Sequence, residues 1–235
     1  MEQSRKLQVA RMGAVDYAAA LKLQDELVAA RHQEMIGDTL LLLEHPHVFT
    51  FGRGADERFL LRKIPGVPVF RVSRGGQITY HGPGQLVGYP ILKLEGRNRD
   101  IGLYLRNLEQ VLIDAIGRIS VEASRREGLT GVWVGARKIA SIGVGVRRWV
   151  TFHGFALNVT ADLTYFSAIT PCGIAGCEMT SLADAGCGDL SVEMAATLVG
   201  QSFCKVFDYQ QLETIAPAAL WRRIDRPSTA CNAIT

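Results

Sequence analysis

Between Arg74 and Pro90 the chain reads RGGQITYHGPGQLVGYP, where five glycines and two prolines surround Arg74, Thr79, His81 and Gln85. Glycines let a backbone approach a bound molecule closely, and successive backbone N–H groups can line a polar group that has no other partner. The segment therefore predicts a binding loop rather than a plain connection. It is not a nucleotide P-loop, because no Gly-Lys-Ser/Thr follows, and it lacks the spaced glycines of a dinucleotide fold. The other reactive candidates are thiols. Five cysteines, an odd number, argue against a disulfide framework and for a reducing compartment with at least one thiol kept for another purpose. Cys172, Cys177 and Cys187 lack the short paired spacing that gathers two thiolates on one tetrahedral ion, so no metal is expected. Taken alone, Lys138 reads as a solvated strand lysine and Cys172 as a small buried hydrophobe.

The frame that must position these groups is of ordinary size. With 235 residues, 48% of them hydrophobic, the chain can bury a sizeable core as one domain, expected over residues 1–220, with a flexible tail at 221–235. Lys and Arg number 26 against 23 Asp and Glu, and the pairs Arg125-Arg126, Arg147-Arg148 and Arg222-Arg223 are scattered, so a nucleic-acid partner is not expected. The first residues lack an apolar core before a small-residue cleavage site, and the run Leu40–Leu43 is too short to span a bilayer. No membrane association is expected, and a cytoplasmic location is.

Apolar residues at Tyr17, Ala20, Leu21, Leu27 and Val28 predict an amphipathic helix from Asp16 to about Met35. The continuous run Thr39–Leu43 predicts a buried strand, Val67–Val72 a second, and Gln85–Leu92 a further β segment. Asp100 is placed to cap a helix whose apolar positions run from Ile101 to Ile119, and Ser191 to cap one reaching about Phe207. From Gly131 to Thr160, β-branched residues punctuated by glycine predict a β-meander with Arg147-Arg148-Trp149 as a turn. Helices mixed with groups of strands read as α+β or mixed α/β.

The pattern RGG, two residues, T, an aromatic, H, two residues, GQ, two residues and YP resembles the octanoyltransferases of lipoate biosynthesis. The resemblance extends through EHPHVFTFGRG (44–54), GVWVGARKIASIGV (131–144), FHGFALNV (152–159) and ITPCGIAGCEMTSL (169–182). It implies a mixed α/β fold with a central β-sheet and flanking helices, similar to the catalytic domain of biotin and lipoate protein ligases. It implies Cys172 as the thioester-forming nucleophile and Lys138 as its companion. The acyl pocket it implies is lined by Arg74, Gly75, Gly76, Gln77, Ile78, Thr79, Tyr80 and His81, by Ser141, Ile142 and Gly143, and by Gly154, Phe155 and Ala156. The donor would be octanoyl-acyl carrier protein or another lipoyl domain. The acceptors would be lysines of lipoyl domains, in 2-oxoacid dehydrogenase E2 subunits and glycine cleavage H protein, with no cofactor required.

That chemistry suits these residue types. A free thiol has a pKa of about 8.5, so an ammonium nearby favours the thiolate; Lys138 could do that or relay protons. Burial of the acyl chain at about 0.8 kcal/mol per methylene makes an apolar tunnel a length selector, with Leu86, Ile142 and Phe155 expected in its walls. His81 is expected to shape the pocket rather than to act as base. Arg53, Arg58, Arg62 and Lys63 could meet an acidic carrier helix. Three rivals stand beside this reading: an ATP-dependent lipoate- or biotin-type ligase, a protease-like Cys172 with His153 or His81 as base, and a non-catalytic acyl-binding protein. Against the first, Gly52-Arg53-Gly54 followed by Ala55-Asp56 only weakly imitates a biotin-ligase loop.

Overall fold

The computed structural model describes residues 5–174 and 176–224. Along them run β1 (Lys6–Ala14), α1 (Tyr17–His32), β2 (Thr39–Glu44), β3 (Val48–Phe51), β4 (Val69–Arg71), β5 (Ile78–His81), β6 (Gln85–Ile91) and α2 (Ile101–Gly117). There follow β7 (Ser124–Arg126), β8 (Leu129–Val134), β9 (Arg137–Arg147), β10 (Val150–Asn158), α3 (Val192–Val206), β11 (Gln211–Thr214) and α4 (Pro217–Ile224).

Strand β2 shows why a continuous apolar run can be a strand: side chains alternate between faces, and here both faces are covered. Leu40 and Leu42 enter a core shared with Leu108, Leu112, Val199 and Phe203 of α2 and α3. Leu41 and Leu43 enter the opposite core, with Ala20, Leu23 and Leu27 of α1 and Leu220 of α4. Between the two layers lies a sheet of order β11-β1-β2-β6-β10-β9-β8-β7, and a smaller sheet, β4-β3-β5, stands beside it. The fold is mixed α/β with a large central sheet and flanking helices. The helix starts follow their caps: Asp16 accepts from Ala18 and Ala19, Asp100 from Leu103, and Ser191 from Met194, each through a backbone N–H.

Four expectations change. Strand β1 carries no local signal in the sequence, because it is fixed by its partners: it pairs in parallel both with β2 and with β11 from the far end of the chain. The Val67–Val72 segment forms only the three-residue β4, an edge strand whose Val69 is 40% exposed, not a buried strand. Helix α1 ends at His32 rather than near Met35. Trp221 to Ile224, placed in the expected tail, belong to α4; the rest of that tail lies outside the described residues. Among those residues no helix is long and apolar enough to cross a membrane.

Candidate active site

Strands β8 and β9 form a hairpin in which Trp133 pairs with Lys138. A bulge between Val132 and Trp133 and the conformation of Gly131, at φ 138°, make room for the lysine: a β-carbon on Gly131 would lie 2.6 Å from Lys138 Cε. The Gly131 N–H donates to the buried Glu109 carboxylate of α2 at 3.0 Å, and Arg106 and Arg125 balance that charge. Lys138 is 1% exposed, so its amine must find partners inside the protein. It donates to the Thr130 carbonyl at 3.0 Å and to Cys172 Sγ at 3.1 Å.

The chain brings Cys172 there through a second set of backbone bonds. Lys138 N–H donates to the Glu178 carbonyl at 2.8 Å, and Thr180 N–H to the Lys138 carbonyl at 2.9 Å, so the stretch after Cys172 lies along β9. On the other side Thr170 N–H donates to the Phe59 carbonyl at 2.8 Å. Pro171–Gly173 is a single 3-10 turn in which Cys172 takes φ 56°, the left-handed region that costs a side-chain-bearing residue of order 1–3 kcal/mol. Ser141 Oγ lies 3.8 Å from the same sulfur. Cys177, five residues on, is half-buried, and burial pushes its thiol up from the ordinary value.

Cys172 and Lys138 open on a cavity of about 180 Å³. Of the residues expected to line it, Arg74, Gly76, Gln77, Ile78, Thr79, His81, Ser141, Ile142, Gly143, Gly154, Phe155 and Ala156 do. Gly75, Tyr80 and Leu86 do not. Gly75 instead anchors its loop, donating through N–H to the Val144 carbonyl at 2.9 Å. Tyr80 alternates to the far face of β5, where its ring stacks on Tyr165 and its hydroxyl bonds His47 at 2.7 Å. Leu86 points into the α2–α3 core. Tyr17, Tyr89, Leu129, Thr130, His153 and Ile174 line the cavity without having been expected there. For Tyr17 and Tyr89 the helical and strand patterns gave only burial; their convergence on one space is a property of the packed layers.

Charge in the cavity is one-sided. Arg74 is buried, donates to the Thr50 carbonyl at 2.6 Å, to Thr50 Oγ1 at 2.8 Å and to the Gly75 carbonyl at 2.9 Å, and has no carboxylate partner among the described residues. Burial lowers its pKa from the usual guanidinium value, opposed by neighbouring phenols and the Cys172 thiol. No Asp or Glu is among the lining residues. Burial also pushes His81 and His153 down to about 3, with Arg74 adding to both, and Tyr17 up to about 12. His81 Nδ1 is paired with Gln85 Oε1 at 2.8 Å, so it is a neutral wall rather than a base, and neither histidine is the nitrogen beside the sulfur.

Residues 16–204 match the lipoyl protein ligase A/B catalytic domain. The octanoyltransferase of Solibacter usitatus is 49% identical over 214 residues, covering 89% of this chain and 96% of that protein. The chain belongs to the lipoyl protein ligase A/B catalytic-domain family. As a member with octanoyltransferase relatives it is an acyltransferase enzyme. Solved lipoate ligases share its fold: one chain of the structure of a bi-partite lipoate protein ligase and its E2 lipoyl domain from Thermoplasma acidophilum matches with a TM-score of 0.67 at 17% identity, over 95% of this chain and 92% of that one. Biotin protein ligase from Aquifex aeolicus matches with a TM-score of 0.50 at 12% identity, over 86% and 69%.

Proposed function

We propose that the enzyme carries an octanoyl group on Cys172, taking it from a carrier-protein thioester and giving it to a lysine of a lipoyl domain. The observation that carries this reading is the 3.1 Å approach of the Lys138 amine to the Cys172 sulfur in the lining of a cavity that Ile142 and Phe155 also line. It is supported by the octanoyltransferase relatives and, for the acceptor, by the E2 lipoyl domain studied with the Thermoplasma ligase.

The cycle closes in protons. The Cys172 thiolate attacks the donor's thioester carbonyl, and the carrier's thiolate leaves with a proton taken from the Lys138 ammonium. The acceptor amine then attacks the Cys172 thioester, its proton passes to the now neutral Lys138, and the thiolate departs, leaving an amide and the starting ion pair. Lys138 thus does both jobs in turn. The Lys138 ammonium favours the first attack, and Arg74, with no acid among the described lining residues, favours the anionic stage of both halves. The cytoplasmic location belongs to the same proposal, and so does a carrier with an acidic face: Arg53, Arg58, Arg62 and Lys63 lie in the segment that holds Phe59 against the Cys172 loop.

The test is transfer to a purified lipoyl domain, read by the acceptor's mass. Octanoyl-carrier protein alone is expected to suffice. Transfer from free octanoate with ATP, and none from the carrier thioester, would replace this reading by a ligase.

A further inference from the structure

An ammonium has three N–H donors, and Lys138 has two hydrogen-bond partners and one aromatic neighbour. The Thr130 carbonyl and the Cys172 sulfur take two, and the amine stands 5.0 Å over the ring of Trp133. The ring is there by register. Trp133 is the cross-strand partner of Lys138 after the β8 bulge, and at 1% exposure it is fully desolvated. The proton shared by nitrogen and sulfur can sit on either. A carbonyl dipole and an aromatic face both attract a full positive charge more strongly than a neutral amine. Both therefore draw the proton to nitrogen and leave the charge on sulfur.

We propose that Trp133 is a positioning residue: with the Thr130 carbonyl, its ring face seats the Lys138 amine against Cys172 and biases their shared proton toward nitrogen. The proposal rests on Cys172 as nucleophile and adds a proton-holding role for an aromatic that touches no substrate. Other charged or titratable groups face this pair from each side. Cys177 follows in the same loop, Arg74 lies in the cavity wall, and Glu109 of α2 is neutralised by Arg106 and Arg125. Arg126 of β7 sits over the same ring at 5.9 Å. Arg126 is exposed, so the desolvated lysine is the stronger claimant.

Fluorinated tryptophans placed at position 133 keep the shape of the ring while draining its face of charge. In a Cys177→Ser background, iodoacetamide alkylation of Cys172 at pH 7 is expected to slow with each added fluorine, to about tenfold for the most fluorinated ring. At pH 10, where a thiol ionises without help, the series is expected to be flat. Trp133→Phe should retain most of the pH 7 rate and Trp133→Leu should not. Equal rates along the series at pH 7 overturn the proposal, and so does a fall of the same size at both pH values, which would assign the ring to packing alone. Failure of the unmodified enzyme to form an octanoyl thioester would instead overturn the reading of Cys172 and would leave the alkylation series to be judged separately.

Discussion

At position 131 the side chain is a single hydrogen, and the site depends on it. A β-carbon there would stand 2.6 Å from Lys138 Cε and 2.7 Å from the Ala140 carbonyl. The lysine tip can swing aside, but the backbone oxygen cannot, and φ 138° is itself strained for any residue with a β-carbon. Gly131→Ala is expected to lower the transfer rate at least tenfold by displacing the amine from sulfur. It should also lower Tm by several degrees, at a cost of about 1–3 kcal/mol. Wild-type turnover in a calorimetric and steady-state comparison would contradict this. The pair itself was legible only through its motifs. By residue type alone Lys138 reads as solvated, since lysine is almost never fully buried unless partnered, and here it is buried because Cys172 and Thr130 partner it. Trp133 could not be read as its neighbour, because the bulge that aligns them alters the simple strand alternation.

Elements set by local chemistry were read closely, and those set by distant partners were not. The caps at Asp16, Asp100 and Ser191 and the four-leucine run of β2 carry their signals within a few residues. The turn between β9 and β10 was also legible, and the structure gives its type: Arg147 pairs with Val150, and Arg148 and Trp149 between them have φ 50° and 65°. Two central residues with positive φ make the turn that matches strand twist, where glycine or asparagine fits and arginine is strained. Arg148→Gly is therefore expected to raise Tm by about 2 °C, a gain of about 0.5–1 kcal/mol. An unchanged or lower Tm would show that the Arg148 contact with His32 outweighs the strain. By contrast, β1 depends on β11 about two hundred residues later, and β4 has too few apolar partners to be covered. No local pattern encodes either fact.

Across the whole molecule, three buried histidines link the cavity to stability. Burial lowers His45 to about 4 and His81 and His153 to about 3, from an ordinary 6.5. Each stays neutral when folded but takes a proton when unfolded below pH 6.5, so the stabilisation is full above that pH and is lost as pH falls toward 4 and 3. At pH 5 each costs about 2 kcal/mol. Tm is expected to fall by on the order of 10 °C between pH 7 and pH 5, and a flat profile would show that these rings are not held neutral. The layers that bury them also bring β9, the Gly-rich loop and the Pro171 turn to one cavity, and on that convergence the functional account depends. The most direct test of it is the intact mass of the enzyme after mixing with octanoyl-carrier protein and no acceptor. One octanoyl adduct is expected, mapped to Cys172 and absent from Cys172→Ser; an unmodified enzyme, or an adduct that Cys172→Ser retains, would contradict Cys172 as the acyl carrier.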